Sequence, residues 1–133
     1  AWGARSPIRK WGWVAFGPRN NRNFTISMNK KERRLALFTL LSSKARNNQV
    51  KIIENVALED AKTKNIVAIM ANMKVTKGLF AMLPNDRDLF LATRNLATIK
   101  PIGVNYLNPM DLMKYNDLVF TKDSLEYIGQ IYS

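Results

Sequence analysis

Residues 79–83 read Leu79-Phe80-Ala81-Met82-Leu83, an apolar run with no polar alternation. A strand with one wet face alternates, whereas a strand covered on both faces reads as a continuous apolar stretch. This run is therefore expected in a sheet that carries layers on both sides. Gly78 closes the connection before it. Upstream, residues 60–73 predict a helix with Ile66, Val67, Ile69, Met70 and Met73 inward. Downstream, residues 86–96 predict another, with Asp86 and Asp88 in a first turn where carboxylates complement the helix dipole.

The same alternation extends in both directions. Asn29 reads as an N-cap, with Glu32 three residues on to complete a capping box. The helix it opens carries Leu35, Leu37, Phe38, Leu40 and Leu41 on its apolar face and should stop near Asn47-Asn48. Residues 50–56 predict a strand, and residues 98–104 a poorer one, placed near an edge because Pro101 and Gly103 interrupt it. Asn108 should cap a short helix starting at Pro109, residues 117–120 form a strand, and Thr121 caps a last helix with Leu125, Ile128 and Ile131 inward. Met70, Met73, Met110 and Met113 read as core filler. Strands alternating with helices give an α/β class: a three-layer α/β/α domain over residues 29–133 with a mainly parallel sheet.

Residues 1–28 break that pattern. Pro7 and Pro18 exclude a continuous helix, and Gly3, Gly12 and Gly17 permit sharp turns. All three tryptophans, Trp2, Trp11 and Trp13, fall here among Arg and Lys. One of them is expected to plug the domain core. The rest of the segment reads as an extended basic arm with too little apolar surface to order itself in isolation.

Charge sharpens the contrast. The 133-residue chain carries a formal +11. Residues 1–51 hold twelve bases against the single acid Glu32, while residues 52–133 hold nine of each. The entire excess sits in the first two-fifths of the chain, which points to a polyanion partner whose counterions are released on binding. Laid on RNA, the bases Arg5, Arg9, Lys10, Arg19 and Arg22 would meet phosphates, and Trp11 and Trp13 would stack on unpaired bases. Lys30, Lys31, Arg33 and Arg34 crowd the first turn of the helix after Asn29, the wrong sign for a helix N-terminus unless an external anion sits there. An organellar transit peptide also would be Arg-rich and acid-poor, but the prolines and glycines spoil the amphipathic helix it needs.

Catalysis finds no purchase in the sequence. There is no Cys and no His, so thiolate chemistry, Ser-His and Cys-His pairs and the commonest metal ligand are all missing. The loop after the first strand, Asn55-Val56-Ala57-Leu58-Glu59-Asp60, has no glycine with which to cradle a phosphate. The pairs Glu59/Asp60, Asp86/Asp88 and Asp111/Asp117 mostly open helices. The longest apolar run, residues 35–41, is too short for a membrane span. No cofactor, metal, membrane or catalytic role is expected.

The residues resemble a known family. Residues 5–18, Arg5-Ser6-Pro7-Ile8-Arg9-Lys10-Trp11-Gly12-Trp13-Val14-Ala15-Phe16-Gly17-Pro18, and residues 28–37, Met28-Asn29-Lys30-Lys31-Glu32-Arg33-Arg34-Leu35-Ala36-Leu37, are similar to the bacterial-type large-subunit ribosomal protein number four. Residues 61–64, 91–96 and 118–126 agree in order and spacing, so the resemblance spans nearly the whole chain. It implies a three-layer domain with a basic arm threading ribosomal RNA toward the nascent-peptide exit tunnel, and a role in subunit assembly. It also adds Lys62 and Lys64 to the expected RNA contacts. Trp13 departs from the family, which shows further glycine there.

The family's first strand and helix and the outgoing half of its arm have no counterpart in these residues; they are encoded separately, lost, or outside this sequence. The implied partners are large-subunit ribosomal RNA, neighbouring ribosomal proteins, and a separate polypeptide replacing the N-terminal segment. A bacterial-type sequence rich in Asn, Lys and Ile further suggests a mitochondrial ribosome over a bacterial cytoplasm or a plastid. The rival reading is a free-standing RNA-binding regulator.

Overall fold

The structure is a computed structural model that describes residues 6, 9, 11–54, 56, 58 and 60–133. Its first regular element is helix α1, Lys30–Arg46, followed by strand β1, Val50–Ile53. Helix α2 spans Thr63–Asn72, strand β2 Gly78–Met82, helix α3 Arg87–Thr93 and strand β3 Ile99–Gly103. A 3-10 turn over Val104–Tyr106 leads to helix α4, Pro109–Lys114, strand β4, Asp117–Thr121, and helix α5, Lys122–Tyr132.

The four strands form one parallel sheet in the order β1-β4-β2-β3. The apolar run lies inside it from Leu79 to Met82, Leu83 falling just past the strand, and every residue of β2 is buried. Leu79 and Ala81 point to one face with Leu118 and Phe120 of β4, where α1, α4 and α5 close over them through Leu37, Leu112 and Ile128. Phe80 and Met82 point to the other face with Val119, beneath Ile66 and Met70 of α2 and Leu89 and Ala92 of α3. The three-layer α/β/α arrangement is thus the one read from the sequence. β3 lies at one edge, as its proline required, because Pro101 has no N–H to give a further strand.

Local chemistry explains the sharper boundaries. Asn108 accepts from the Asp111 amide at 2.8 Å, and Pro109 occupies the first turn of α4. Thr121 and Ser124 form a reciprocal capping box at the start of α5, Thr121 N donating to Ser124 Oγ at 3.0 Å and Ser124 N to Thr121 Oγ1 at 3.3 Å. Asn29 does begin α1, but its side chain makes no capping bond, so the box expected with Glu32 is absent.

Other expectations are corrected by tertiary geometry. β1 stops at Ile53, before Val56, and α2 starts at Thr63 after a tight turn in which Lys62 N donates to Asp60 O. α3 is shorter at both ends than residues 86–96. In α1 the inward stripe is Leu37, Leu40, Leu41 and Lys44, at spacings of three, four and seven, leaving Leu35 and Phe38 on the solvent side. Val67 is likewise one step off the stripe of Ile66, Ile69, Met70 and Met73. Leu125 and Ile131 are more exposed than expected because Tyr127, Ile128 and Tyr132 face the core instead. Met110 and Met113 lie on the outer side of α4 and fill no core, while Asp111 and Leu112 turn inward.

Candidate nucleic-acid interface

Among the described residues 11–29 there is no helix or strand. Gly12 takes φ +77°, the left-handed region where a residue without Cβ is at ease. Phe16 takes φ +56°, which a bulky side chain adopts only under constraint. Arg19 and Arg22 stand with Phe16 and Phe24 around a hollow of about 470 Å³, and the Arg22 guanidinium lies 4.9 Å over the Phe24 ring.

Trp11 is fully exposed and Trp13 is 63% exposed, so neither of these two plugs the core, and the expectation that one of the three tryptophans does so rests on Trp2, outside the described residues. Arg9 is exposed too, whereas Arg5, Lys10 and Trp2 fall outside the described residues.

The start of α1 presents Lys30, Lys31, Arg33 and Arg34 to solvent. Three of these cations converge on one cavity of about 260 Å³, with Leu107 from before α4, Pro109 from its first turn and Tyr132 from α5 as their counterparts. Leu37 and Asn108 complete the lining, and no carboxylate is part of it. The Arg34 guanidinium lies 5.5 Å over the Tyr132 ring, whose edge meets Phe38 at 5.3 Å between centroids. Tyr132, Leu107 and Pro109 were not legible as site residues, because only the tertiary fold brings them to α1.

Lys62 and Lys64 do not join that group. They open α2, the helix on the opposite face of the sheet, and Lys62 is already bonded to Asp60 in an exposed ion pair. Two more bases of the charged N-terminal half are spent on the fold. Lys44 Nζ donates to the carbonyls of Tyr115 and Asn116, and Lys51 Nζ to that of Met73. Burial pushes the Lys44 ammonium below the usual lysine range, an effect Asp117 opposes.

A ligand in an open parallel sheet binds where neighbouring strands send their helices to opposite faces. All three neighbouring pairs do so here, because α2 and α3, which follow β1 and β2, cover one face while α4 and α5, which follow β3 and β4, cover the other. Between the ends of β2 and β4, Ser124 Oγ lies 2.8 Å from the Thr121 carbonyl and 3.2 Å from the Ala81 carbonyl, tying the start of α5 to both strands. Asp111, hydrogen-bonded by Lys100 Nζ at 2.8 and 2.7 Å, is held below the usual carboxylate range and stays ionised. It is a structural ion pair and lacks the raised pKa of a general acid. Among the described residues no group of Asp and Glu could hold a metal ion, and no helix is long and apolar enough to cross a membrane.

The family model of the "Ribosomal protein L4/L1 family" matches residues 3–131. The chain belongs to this family. It is 36% identical over 129 residues to the large ribosomal subunit protein uL4 of Lachnospira eligens, a match covering 97% of the chain and 62% of the relative. It is 37% identical to the uL4 of Desulforamulus reducens, over 96% of the chain and 62% of that protein. The uL4 of Geotalea uraniireducens is 36% identical, over 93% of the chain and 59% of its own length. This L4-family chain therefore spans about three-fifths of the length of the curated relatives it matches. The family is one of structural, non-enzymatic proteins. These relatives are bacterial and lend no support to the mitochondrial expectation, which rested on composition alone.

Proposed function

We propose that this chain is a structural constituent of the large ribosomal subunit that binds large-subunit ribosomal RNA through the arm, residues 1–28, and the start of α1. The observation that carries the reading is the separation of chemistry within one chain. Among the described residues, the basic and aromatic side chains of the arm face solvent, while α1 and the neutral remainder of the chain pack an α/β core. Arg9, Arg19, Arg22, Lys31 and Arg33, with Arg5 and Lys10, supply phosphate contacts, and Trp11 and Trp13 supply stacking planes. Lys62 and Lys64 make a second, smaller contact from the other face. The arm runs near the nascent-peptide exit tunnel, and the domain supports subunit assembly.

A protein partner fits the same assembly. β1 is an edge strand whose Ile52 is 53% exposed, and Leu35 and Phe38 are exposed one turn apart on α1. A strand or helix of a separate polypeptide, or of a neighbouring ribosomal protein, would bury them.

Sedimentation tests the central reading. The chain should co-migrate with large subunits at moderate salt and be released as salt rises. Free migration at the top of the gradient, with affinity for other RNAs, would instead support a free-standing regulator. A photoactivatable residue at Ile52 or Leu35 of subunit-bound chain should crosslink to a peptide lying against β1 or α1.

A further inference from the structure

The cavity at the start of α1 differs from an ordinary basic surface in having a floor. Leu37 and Leu107 are buried beneath it, Pro109 and Tyr132 form apolar walls, and Lys30, Arg33 and Arg34 crowd its rim. Phosphate alone needs no apolar floor. An apolar peptide would not be drawn to three cations, and the lining offers no carboxylate for a basic one.

An unpaired nucleotide meets both demands, because it joins a flat, weakly polar base to an anionic phosphate. Arg34 already lies over the Tyr132 ring, so a guanidinium plane and an aromatic face are available at one place. Asn108 adds an amide at the wall. Its Oδ1 is committed to the Asp111 amide and its Nδ2 to Asp111 Oδ2, so the group is held rigid instead of free to read a base edge.

We propose that this cavity receives a single unstacked nucleobase of the bound RNA, against Arg34 and Tyr132, with its phosphate on Lys30 and Arg33. The proposal rests on the RNA-binding reading above and gives it a second kind of contact, stacking by the globular domain itself. Because Asn108 is engaged, the site should take any base with little preference.

The test uses the full chain and two hexaribonucleotides of equal charge, one oligo-uridine and one with a single abasic residue at its centre. The intact hexamer should bind more tightly by roughly five- to a hundredfold, the weight of one base–aromatic stack. Tyr132→Leu should shrink that ratio at least severalfold without changing the salt dependence, and Tyr132→Phe should preserve it. Since Tyr132→Leu disturbs the contact with Phe38, wild-type protein is also photocrosslinked to a 4-thiouridine hexamer, and the crosslink should map to Tyr132 or residues 107–109. Crosslinks confined to residues 11–24, or an unchanged ratio in Tyr132→Leu, overturn the pocket while RNA binding stands. Displacement of the hexamer by an oligo-glutamate peptide at equal affinity also overturns it, as a site for charge alone. Failure to bind either hexamer removes both readings together.

Discussion

The ammonium of Lys44 donates to the carbonyl of Tyr115 at 2.8 Å, joining the last turn of α1 to the entrance of β4. A second bond reaches Asn116 O at 2.9 Å, and the lysine is only 8% exposed. The stripe that packs α1 on the sheet thus ends in a cation that satisfies two backbone acceptors. Lys44→Met keeps the aliphatic volume but strips both acceptors of their donor. It should destabilise the fold by about 1–3 kcal/mol, the cost of unpaired buried carbonyls, read as a lower urea midpoint at unchanged m-value. RNA affinity and its salt dependence should not move in the folded variant.

Asp111 sets an acid limit. Its carboxylate is held below the ordinary range first by the Lys100 hydrogen bonds and then by Asn108 and nearby positive charge, against the opposing effect of burial. A depressed folded-state pKa gives stability that is present above the unfolded value, about 3.9, and is lost as pH falls through the folded value. Asp111→Asn should cost about 1 kcal/mol near neutrality, since Lys100 is half exposed. Denaturation curves of the two proteins should converge as pH falls below about 4; a constant gap across that range would contradict the assignment.

Gly78 stands at the start of the central strand with no room for a methyl group. A Cβ there would lie 2.7 Å from Val75 Cγ1. Gly78→Ala should destabilise by roughly 1–3 kcal/mol through overpacking. Adding Val75→Ala should recover part of that loss, and a double variant less stable than the sum of its singles would show that backbone, not Val75, is the obstacle.

The rim of the α1 cavity should titrate with salt. Replacing Arg33 and Arg34 together by Ala should lower the slope of log affinity against log salt by about one unit, for the lost Arg33 phosphate contact, and weaken binding further through the lost Arg34 stack. An unchanged slope and affinity would mean that the helix start touches no RNA.

The sheet was legible because burial on both faces leaves a continuous apolar run, as in Leu79 to Leu83, and because caps such as Asn108 and Thr121 act within three residues. What failed depended on distant partners. Phe38 and Leu35 belong to an apolar set by composition, yet the sheet lies on the side of Leu37 and Lys44. Met110 and Met113 have helical spacing, but the short α4 buries Asp111 and Leu112 instead. The cations of the interface were readable as charge segregation. Tyr132 was not, because it lies about a hundred residues from Arg34 in sequence and only the packing of α5 on α1 makes them neighbours.

The strand order has a consequence for how this chain acquires its structure. Among the described strands β1 pairs only with β4, so Val50 waits for Leu118 while α2, β2, α3, β3 and α4 are still being made. β4 also pairs with β2 and brings the two edges together. Such non-local closure is slow, since the entropy of the long loop must be lost before the contacts that reward it form. During synthesis the arm and α1 emerge before β2, β3 and β4, and so before those strands give Leu37 and Lys44 a sheet to pack on. The basic side chains of the arm are therefore exposed before the sheet behind them can form, and early capture of the arm by a polyanion would hold the remaining chain in place while its last central strand arrives.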